Sequence, residues 1–162
     1  MAGNTIDAAD LAHLRAAIDL SREASRRGDE PYGAVLGDAS GRRLAAAGNT
    51  QVTTRDCTGH AETNLLREAS PRFDRATLAG CTVYASGEPC PMCAGALYYA
   101  GVRRVVYALS ADRMRALAGD VDELLLGCRE LLARGMSEVI VLGPALEDEA
   151  APVLSAHYGA RR

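Results

Sequence analysis

The amino-acid sequence predicts a three-layer α/β/α domain in which a mixed five-stranded sheet carries helices on both faces. Two observations lead to this fold class. Near the N-terminus, two short apolar segments flank a glycine-containing turn, which is typical of an antiparallel hairpin. Further along, short apolar segments alternate with helical ones, and such helical crossovers connect parallel strands. Because the chain has 162 residues, 48% of them hydrophobic, we expect a single domain over residues 1–162.

The first helix is expected over residues 7–27. Leu11, Leu14 and Ile18 share one stripe of such a helix, and Gly28 is its stop signal. This helix therefore precedes the sheet in the chain.

A β-hairpin follows the first helix. Its strands are predicted over residues 32–36 and 44–47, and the sequence Gly-Asp-Ala-Ser-Gly at residues 37–41 is typical of a turn. The hairpin supplies the antiparallel part of the sheet.

Helices and strands alternate in the remainder of the chain. Ser70-Pro71 ends one helix, Pro91 suits the first turn of another, and Gly101 stops that second helix. The helix predicted next after the fourth strand depends on four leucines: Leu124, Leu125, Leu131 and Leu132. The expected elements are helices over residues 60–69, 91–100, 121–133 and 146–158, and strands over residues 81–85, 104–109 and 139–142.

The composition excludes several classes of function. The net charge is −3, and all 18 basic residues are arginines, so we expect neither a global attraction to nucleic acid or anionic membranes nor Schiff-base catalysis by a lysine. No segment approaches the roughly 18 apolar residues of a membrane span. Residues 1–10 contain two acids and no basic residue, unlike a secretory signal. The expected location is therefore the cytoplasm.

Metal-ligating side chains occur in two short motifs. His60 and Glu62 form a His-x-Glu motif, and Cys90 and Cys93 form a Pro-Cys-x-x-Cys motif. The two cysteines lie on one face at the start of a predicted helix, where the helix dipole stabilises a thiolate. One histidine and two thiolates leave one tetrahedral position of a zinc ion open, as catalytic zinc requires. The two motifs together are typical of zinc-dependent base deaminases, so we predict His60, Cys90 and Cys93 as Zn²⁺ ligands and Glu62 as the catalytic proton shuttle.

Each motif alone has another interpretation. Cys-x-x-Cys also occurs in redox proteins and zinc ribbons, but no second Cys-x-x-Cys or His-x-x-x-His completes a ribbon here. A redox pair is expected after the first strand of a βαβ unit, whereas Cys90 follows the third strand. Glu62 could simply complement the start of its helix. Among the other cysteines, we expect Cys57 and Cys81 to be small buried residues and Cys128 to lie in the core.

Five segments within residues 31–109 resemble a known group of enzymes: Pro31-Tyr32-Gly33-Ala34-Val35, Gly48-Asn49, Gly59-His60-Ala61-Glu62, Glu88-Pro89-Cys90-Pro91-Met92-Cys93-Ala94-Gly95-Ala96 and Val105-Val106-Tyr107. The group is the cytidine deaminase-like superfamily, in the branch of guanine, fungal-type cytosine and tRNA adenosine deaminases. The resemblance implies the cytidine deaminase-like fold, bound zinc, the catalytic role of Glu62, and a homodimer paired through helices beside the active site. Leu97, Tyr98 and Tyr99 offer an apolar patch for such pairing.

The resemblance also implies contacts with the substrate. Asn49 is expected to hydrogen-bond the substrate ring, although an Asn after Gly is also a good turn residue. The backbone amide of Ala61 and the backbone carbonyl of Ser86 are expected to contact the base.

Further candidate residues follow the fourth strand and lie near the C-terminus. Some guanine deaminases carry a second acid after the fourth strand, for which Asp112 is the candidate here, with Asp120 and Asp122 as alternatives. The C-terminal segment closes over the pocket in the guanine and cytosine deaminase branches. His157 and Tyr158 are expected to do so in this chain, unless they are plain surface residues.

Three functions remain open at the level of sequence. The first is deamination of a free amino-heterocycle (guanine, cytosine or an aminotriazine) with release of ammonia. The second is tRNA adenosine-to-inosine deamination, which the run Cys93-Ala94-Gly95-Ala96 favours. The third is a non-enzymatic zinc protein, against which Glu62 argues. Because the arginines occur as dispersed pairs and not as a basic stripe, we predict a small base as the substrate and no nucleic-acid partner.

Overall fold

A mixed five-stranded sheet forms the centre of the protein. The computed structural model describes residues 3–161. The strands are β1 (Gly33–Gly37), β2 (Arg43–Gly48), β3 (Thr82–Gly87), β4 (Arg104–Leu109) and β5 (Ile140–Leu142). Their order is β2-β1-β3-β4-β5, with β1 antiparallel to both of its neighbours and with β3, β4 and β5 parallel. The predicted hairpin and the predicted parallel strands are confirmed.

Helices connect the strands and cover the sheet. Within residues 3–161 they are α1 (Ala8–Arg27), α2 (Gln51–Thr54), α3 (Ala61–Ala69), α4 (Arg75–Ala79), α5 (Pro91–Ala100), α6 (Ala111–Ala118), α7 (Cys128–Leu132) and α8 (Glu147–Gly159). The short helices α2 and α4 and the two-turn helix α6 were not predicted.

Two hydrophobic clusters lie on opposite faces of the sheet. Successive side chains of a strand point to opposite faces. Val35 of β1 accordingly packs in the cluster that contains Leu14 of α1 and Leu154 of α8. The next residue, Leu36, packs in the cluster that contains Leu65 of α3. The predicted three-layer arrangement is therefore confirmed.

Helix α1 has strong end signals and packs closely on the sheet. Asp7 caps the helix through a reciprocal pair of hydrogen bonds with Asp10, and Gly28 ends it in the left-handed conformation with φ of 90°. A Cβ atom on Gly33 would lie 2.2 Å from the carbonyl oxygen of Ala17. Only glycine therefore allows α1 to approach the start of β1 this closely.

The prediction of one continuous helix over residues 121–133 is wrong, and only its C-terminal part is present, as α7 (Cys128–Leu132). Helix α6 ends before Gly119, α7 begins only after Gly127, and the chain between them has no regular secondary structure. Leu124 and Leu125 are 75% and 77% exposed, so they do not belong to one buried stripe. A glycine inside a helix costs about 1 kcal/mol relative to alanine, and apolar burial does not offset that cost here.

The other predicted elements agree with the structure to within about two residues at most ends.

Among the helices of residues 3–161, none combines the length and the apolar character that crossing a membrane requires.

Candidate metal centre and active-site cavity

The three predicted metal ligands converge at the N-termini of two neighbouring helices. His60 is the N-cap residue of α3, Cys90 is the N-cap residue of α5, and Cys93 lies in the first turn of α5. Neither side chain makes an N-cap hydrogen bond, so neither is used to cap its helix. The ligand atoms of His60, Cys90 and Cys93 all lie within 4.8 Å of one another.

The spacing of these atoms fits a tetrahedral zinc ion. Nδ1 of His60 lies 3.6 Å from Sγ of Cys90 and 3.5 Å from Sγ of Cys93. Zinc binds sulfur at about 2.3 Å and nitrogen at about 2.0–2.1 Å, which puts tetrahedral N and S ligands about 3.6 Å apart. One nitrogen and two sulfur ligands would leave a coordination position for water or substrate, as in catalytic zinc sites.

The electrostatics of the cluster favour binding of a cation. Hydrogen bonding from Cys93 is the main cause that lowers the pKa of the Cys90 thiol to about 4, so Cys90 is a thiolate at neutral pH. The same hydrogen bond and burial raise the pKa of Cys93, because a second negative charge beside the first is unfavourable. Hydrogen bonding to Cys90 raises the pKa of His60. A thiolate beside an imidazole and a second thiol is a ligand set that zinc binds.

Glu62 lies beside the metal ligands in the first turn of α3. It is 6% exposed and lines the same cavity as His60 and Cys90. Burial raises the pKa of the Glu62 carboxyl above its usual range, and the negative charge of Cys90 adds to the rise. A carboxyl group of this kind takes up and releases a proton more readily near neutral pH than an exposed one does.

A cavity of about 480 Å³ opens over the cluster, a size typical of small-molecule sites. Its lining is acidic, with five carboxylates: Glu30, Glu62, Glu88, Asp122 and Glu123. Two arginines also line it, and each pairs with one of these acids. Nε of Arg115 lies 3.1 Å from Glu123, and Nη1 of Arg161 lies 2.8 Å from Glu30.

The predicted substrate-contact residues differ in their positions. Asn49 is fully buried and lines the cavity, where its side chain exchanges two hydrogen bonds with Gln51, at 2.7 and 2.9 Å. Ala61 is buried between His60 and Glu62. Ser86 is buried on β3 and accepts a hydrogen bond from the backbone of Gly33 through its Oγ. The roles of all three in substrate binding stay predictions.

The structure does not bring Asp112 into this cavity. Its side chain is 98% exposed and pairs with Arg115 at 3.2 Å, because it lies on the outer side of α6. The alternative Asp122 does line the cavity. Asp120 does not belong to the described lining.

Only one of the two predicted C-terminal residues lines the cavity. The hydroxyl of Tyr158 donates to Oε2 of Glu30 at 2.9 Å and lies 3.3 Å from the hydroxyl of Tyr32. His157 is buried behind the lining, with its Nδ1 2.8 Å from Oγ of Ser25 and its Nε2 3.9 Å from Oε2 of Glu30. Successive helical residues point about 100° apart, so α8 presents Tyr158 and not His157 to the site.

Several cavity residues were missed by sequence reasoning. Glu30 reaches the site from a loop and Gln51 from the start of the short helix α2, and neither belongs to a recognisable motif. Met114 lies on α6, which was not predicted, and Glu123 lies in the segment that was predicted as a helix but has no regular structure. Glu88 directly precedes the Pro-Cys motif, and this position was the one available signal.

The other cysteines lie apart from the cluster. Cys81 and Cys128 are buried, as predicted, whereas Cys57 is exposed. The expectation that Cys57 is buried is wrong because it lies in the surface turn between α2 and α3.

Comparison with known proteins identifies a related family. Residues 8–109 match the family described as the cytidine and deoxycytidylate deaminase zinc-binding region. The matched region includes His60, Glu62, Cys90 and Cys93 and covers more than half of the chain.

Individual relatives span most of the chain. This chain is 35% identical over 153 residues to a probable cytosine deaminase of Schizosaccharomyces pombe, with 93% of each chain covered. It is 33% identical over 149 residues to a tRNA-specific adenosine deaminase of Bacillus subtilis, which covers 92% of this chain and 88% of that one. Among solved structures, a guanine deaminase from Nitrosomonas europaea matches with a TM-score of 0.79 and 28% identity, over 91% of this chain and 84% of the other.

Proposed function

Since the chain belongs to the cytidine and deoxycytidylate deaminase zinc-binding family and is a zinc-dependent deaminase, we propose that its substrate is a free nucleobase-like amino-heterocycle. The candidate class comprises guanine, cytosine and aminotriazines. The reaction replaces the exocyclic amino group by oxygen, so that one water is consumed and one ammonia is released.

The residues of the cavity have complementary roles in this reaction. His60, Cys90 and Cys93 would hold zinc, which supplies a water activated near neutral pH. Glu62 accepts a proton from that water and delivers it to the ring nitrogen. Once the new carbon–oxygen bond has formed, Glu62 takes the remaining proton of that oxygen and transfers it to the departing amino group, which leaves as ammonia as the carbon–nitrogen bond breaks. Asn49 orients the ring through its side-chain amide.

The acidic lining of the cavity is the observation that carries the substrate proposal. Five carboxylates face two arginines, and both arginines are already paired with acids. Phosphate recognition needs concentrated, available positive charge. A neutral base needs only shape, a few hydrogen bonds and access to the activated water, so this cavity suits a base better than an RNA loop.

The C-terminal helix supports the same conclusion. Tyr158 bonds to Glu30 and contacts Tyr32, and Arg161 pairs with Glu30. These contacts cover one side of the cavity. A cavity of about 480 Å³ can hold a free base entirely. The similarity to proteins named as cytosine and guanine deaminases is consistent with this substrate class.

A second candidate function is tRNA adenosine deamination. One observation favours it: the chain is 33% identical over 149 residues to a tRNA-specific adenosine deaminase. A few arginines near the rim can bind an RNA loop even when the average charge is negative.

An ammonia-release assay separates the two candidates. Equal amounts of zinc-loaded protein are incubated with guanine, cytosine, aminotriazines, nucleosides and unmodified tRNA. We expect ammonia from at least one free base and no inosine in the tRNA. Inosine in the tRNA without ammonia from any base would establish the second function instead.

We also propose that the protein is a homodimer. Tyr99 on α5 is 78% exposed and Met92, on the same helix, is 39% exposed, whereas Leu97 is buried against the sheet. The apolar patch predicted from sequence is thus supported for Tyr99 and not for Leu97. Light scattering at micromolar concentration should give about twice the 17.0 kDa chain mass, and a monomer would refute the proposal.

We place the protein in the cytoplasm. All five cysteines are free, and two of them must stay reduced to bind metal, which a reducing compartment ensures. Cell fractionation with antibody detection tests this location.

A further inference from the structure

The carboxylate of Glu88 makes contacts that the proposed reaction does not require. Its Oε2 accepts a hydrogen bond from the backbone N–H of Ala111, and its Oε1 accepts one from that of Cys128, both at 2.9 Å. Its own backbone N–H donates to the carbonyl of Leu109 at 2.7 Å. Glu88 also lies two residues before the metal ligand Cys90. It therefore connects the metal-binding segment to two other parts of the chain.

The two side-chain hydrogen bonds hold both ends of one segment, residues 111–128, which we name the wall segment. Ala111 is the first residue of α6 and Cys128 is the first residue of α7. The first amides of a helix lack partners within the helix, and a negative charge is favourable beside them. One carboxylate therefore closes a segment of 18 residues onto the end of β3.

The wall segment forms one side of the cavity. Its lining residues are Met114, Arg115, Ala118, Val121, Asp122 and Glu123. Met114 and Leu117 of α6 pack against the cluster that contains Leu14 and Leu154, but beyond α6 the segment has little apolar burial, since Val121, Leu124 and Leu125 are at least half exposed. Its position therefore depends strongly on the hydrogen bonds at its ends.

We propose that Glu88 is a positioning residue that holds the wall segment against the metal centre and thereby sets the affinity for substrate. A loosened wall must be ordered when the substrate binds, and the cost of ordering reduces affinity. His60, Cys93 and Glu62 do not belong to the wall segment, so metal binding and the chemical step are preserved. The kinetic part of this inference rests on the proposed base substrate.

The test compares Glu88→Gln with Asp74→Asn. Glutamine retains one acceptor but turns an N–H₂ group towards a backbone N–H, so one of the two bonds is lost. Asp74 is a matched control because its exposed carboxylate also caps a helix, accepting from the backbone of Thr77 at 2.8 Å, but outside the cavity. Hydrogen exchange, zinc content, KM and kcat are measured for both variants.

We expect three results for Glu88→Gln. Amide exchange within residues 111–128 accelerates by about tenfold or more, as expected when a hydrogen bond to a charged group is lost. KM for the base rises by about tenfold, whereas kcat changes by less than about threefold. Zinc content stays at the wild-type value. The Asp74→Asn protein should match the wild type in hydrogen exchange of the wall segment, in zinc content, in KM and in kcat.

Other results would overturn the proposal. Wild-type exchange of the wall segment in both Glu88→Gln and Glu88→Ala would do so, as would a fall in kcat without a rise in KM. Loss of zinc or of the folded state in Glu88→Gln would also contradict it, since the role would then be general support of the fold. If the wild-type protein deaminates no free base, the proposed function fails, but hydrogen exchange still decides whether Glu88 holds the wall.

Discussion

The metal centre depends on which residues occupy two helix N-caps. His60 and Cys90 stand where serine or aspartate would usually bond to the helix. Both residues have an extended backbone, with ψ of 155° and 168°, and their side chains lie 3.6 Å apart, between Nδ1 of His60 and Sγ of Cys90. The two helices thus lack the stabilisation of a capping side chain, and the side chains at these positions are instead placed to bind a metal. Pro91, which needs no N–H partner at the first helical position, helps to start α5 without a capping side chain.

Removal of either cysteine ligand should abolish zinc binding. Cys90→Ala or Cys93→Ala leaves at most two of the three protein ligands, and the bound zinc per chain should fall to near zero after dialysis. Cys57→Ala is the matched control because Cys57 is exposed and lies outside the cluster; it should keep the wild-type content. Elemental analysis measures all three variants, and wild-type zinc in both ligand variants would refute the assignment.

Glu62→Gln should keep zinc but lose turnover. Glutamine has nearly the shape of glutamate but cannot shuttle protons, so we expect kcat to fall by about 10²–10⁴-fold. Glu68→Gln is the control on the same helix, because Glu68 pairs with Arg72 at the surface. Activity of the Glu62 variant within a few-fold of wild type would exclude the shuttle role.

Helix α8 connects the C-terminal end of the chain to the cavity. Its residues Val153 and Leu154 are buried, Leu154 in the cluster beneath the sheet. That packing fixes the helix so that Tyr158 reaches Glu30. Burial is the main cause that raises the pKa of Tyr158, so its phenol stays protonated and donates to the Glu30 carboxylate. Packing of one helix face thus determines which C-terminal side chain faces the substrate.

Tyr158→Phe should weaken substrate binding more than it slows the chemistry. The ring is kept, but the hydrogen bond to Glu30 is lost, so KM for the base should rise by about tenfold at nearly constant kcat. Tyr99→Phe is the matched control, since Tyr99 is 78% exposed on α5. Steady-state kinetics measure both variants, and an unchanged KM for Tyr158→Phe would show that this closure does not contribute to binding.

At the scale of the whole molecule, a buried ion pair joins Asp10 of α1 to Arg104 of β4, which is distant in sequence. Nη1 and Nη2 of Arg104 donate to the two carboxylate oxygens of Asp10, each at 2.8 Å, and the hydroxyl of Tyr84 also donates to Asp10 at 2.8 Å. Burial by itself raises the pKa of the Asp10 carboxyl, but the hydrogen bonds, led by those of Arg104, outweigh it. The pKa of Asp10 therefore lies below its usual value of 3.8.

Because the pKa of Asp10 is lowered in the folded state, the free energy of unfolding depends on pH. The native state holds the Asp10 proton more weakly than the unfolded chain does. The resulting stabilisation is thus fully present above the unfolded pKa of about 4 and is lost as the pH falls through the lower folded pKa. Asp10→Asn leaves Arg104 buried without its partner and should reduce the free energy of unfolding at pH 7 by about 3–5 kcal/mol. Urea unfolding should show this difference shrinking below about pH 4.

The control for Asp10 is Asp19→Asn, which breaks an exposed pair with Arg22. It should change the free energy of unfolding by no more than about 1 kcal/mol at any pH. An Asp10→Asn difference that stays constant from pH 7 to pH 3 would contradict the linkage.

Local patterns determined most of the framework and the metal site. Helix α1 was predictable because its stripe of Leu14 and Ile18 and its stop at Gly28 are signals within one segment. The proximity of His60, Cys90 and Cys93 was predictable because metal chemistry restricts residue types and spacings so severely. The shape of the substrate pocket is not restricted in this way.

Contacts between distant residues decided the remainder. Gly119 and Gly127 are weak local signals against a helix, and the wall segment takes its course from the carboxylate of Glu88, bonded to backbone amides 23 and 40 residues away. The choice of Tyr158 over His157 depends on how α8 packs. Sequence alone indicated a zinc site and a proton-transfer group, because such groups need particular elements in a particular order. Tertiary structure decided the surroundings of the substrate, because long-range packing and hydrogen bonds to backbone amides leave no local pattern.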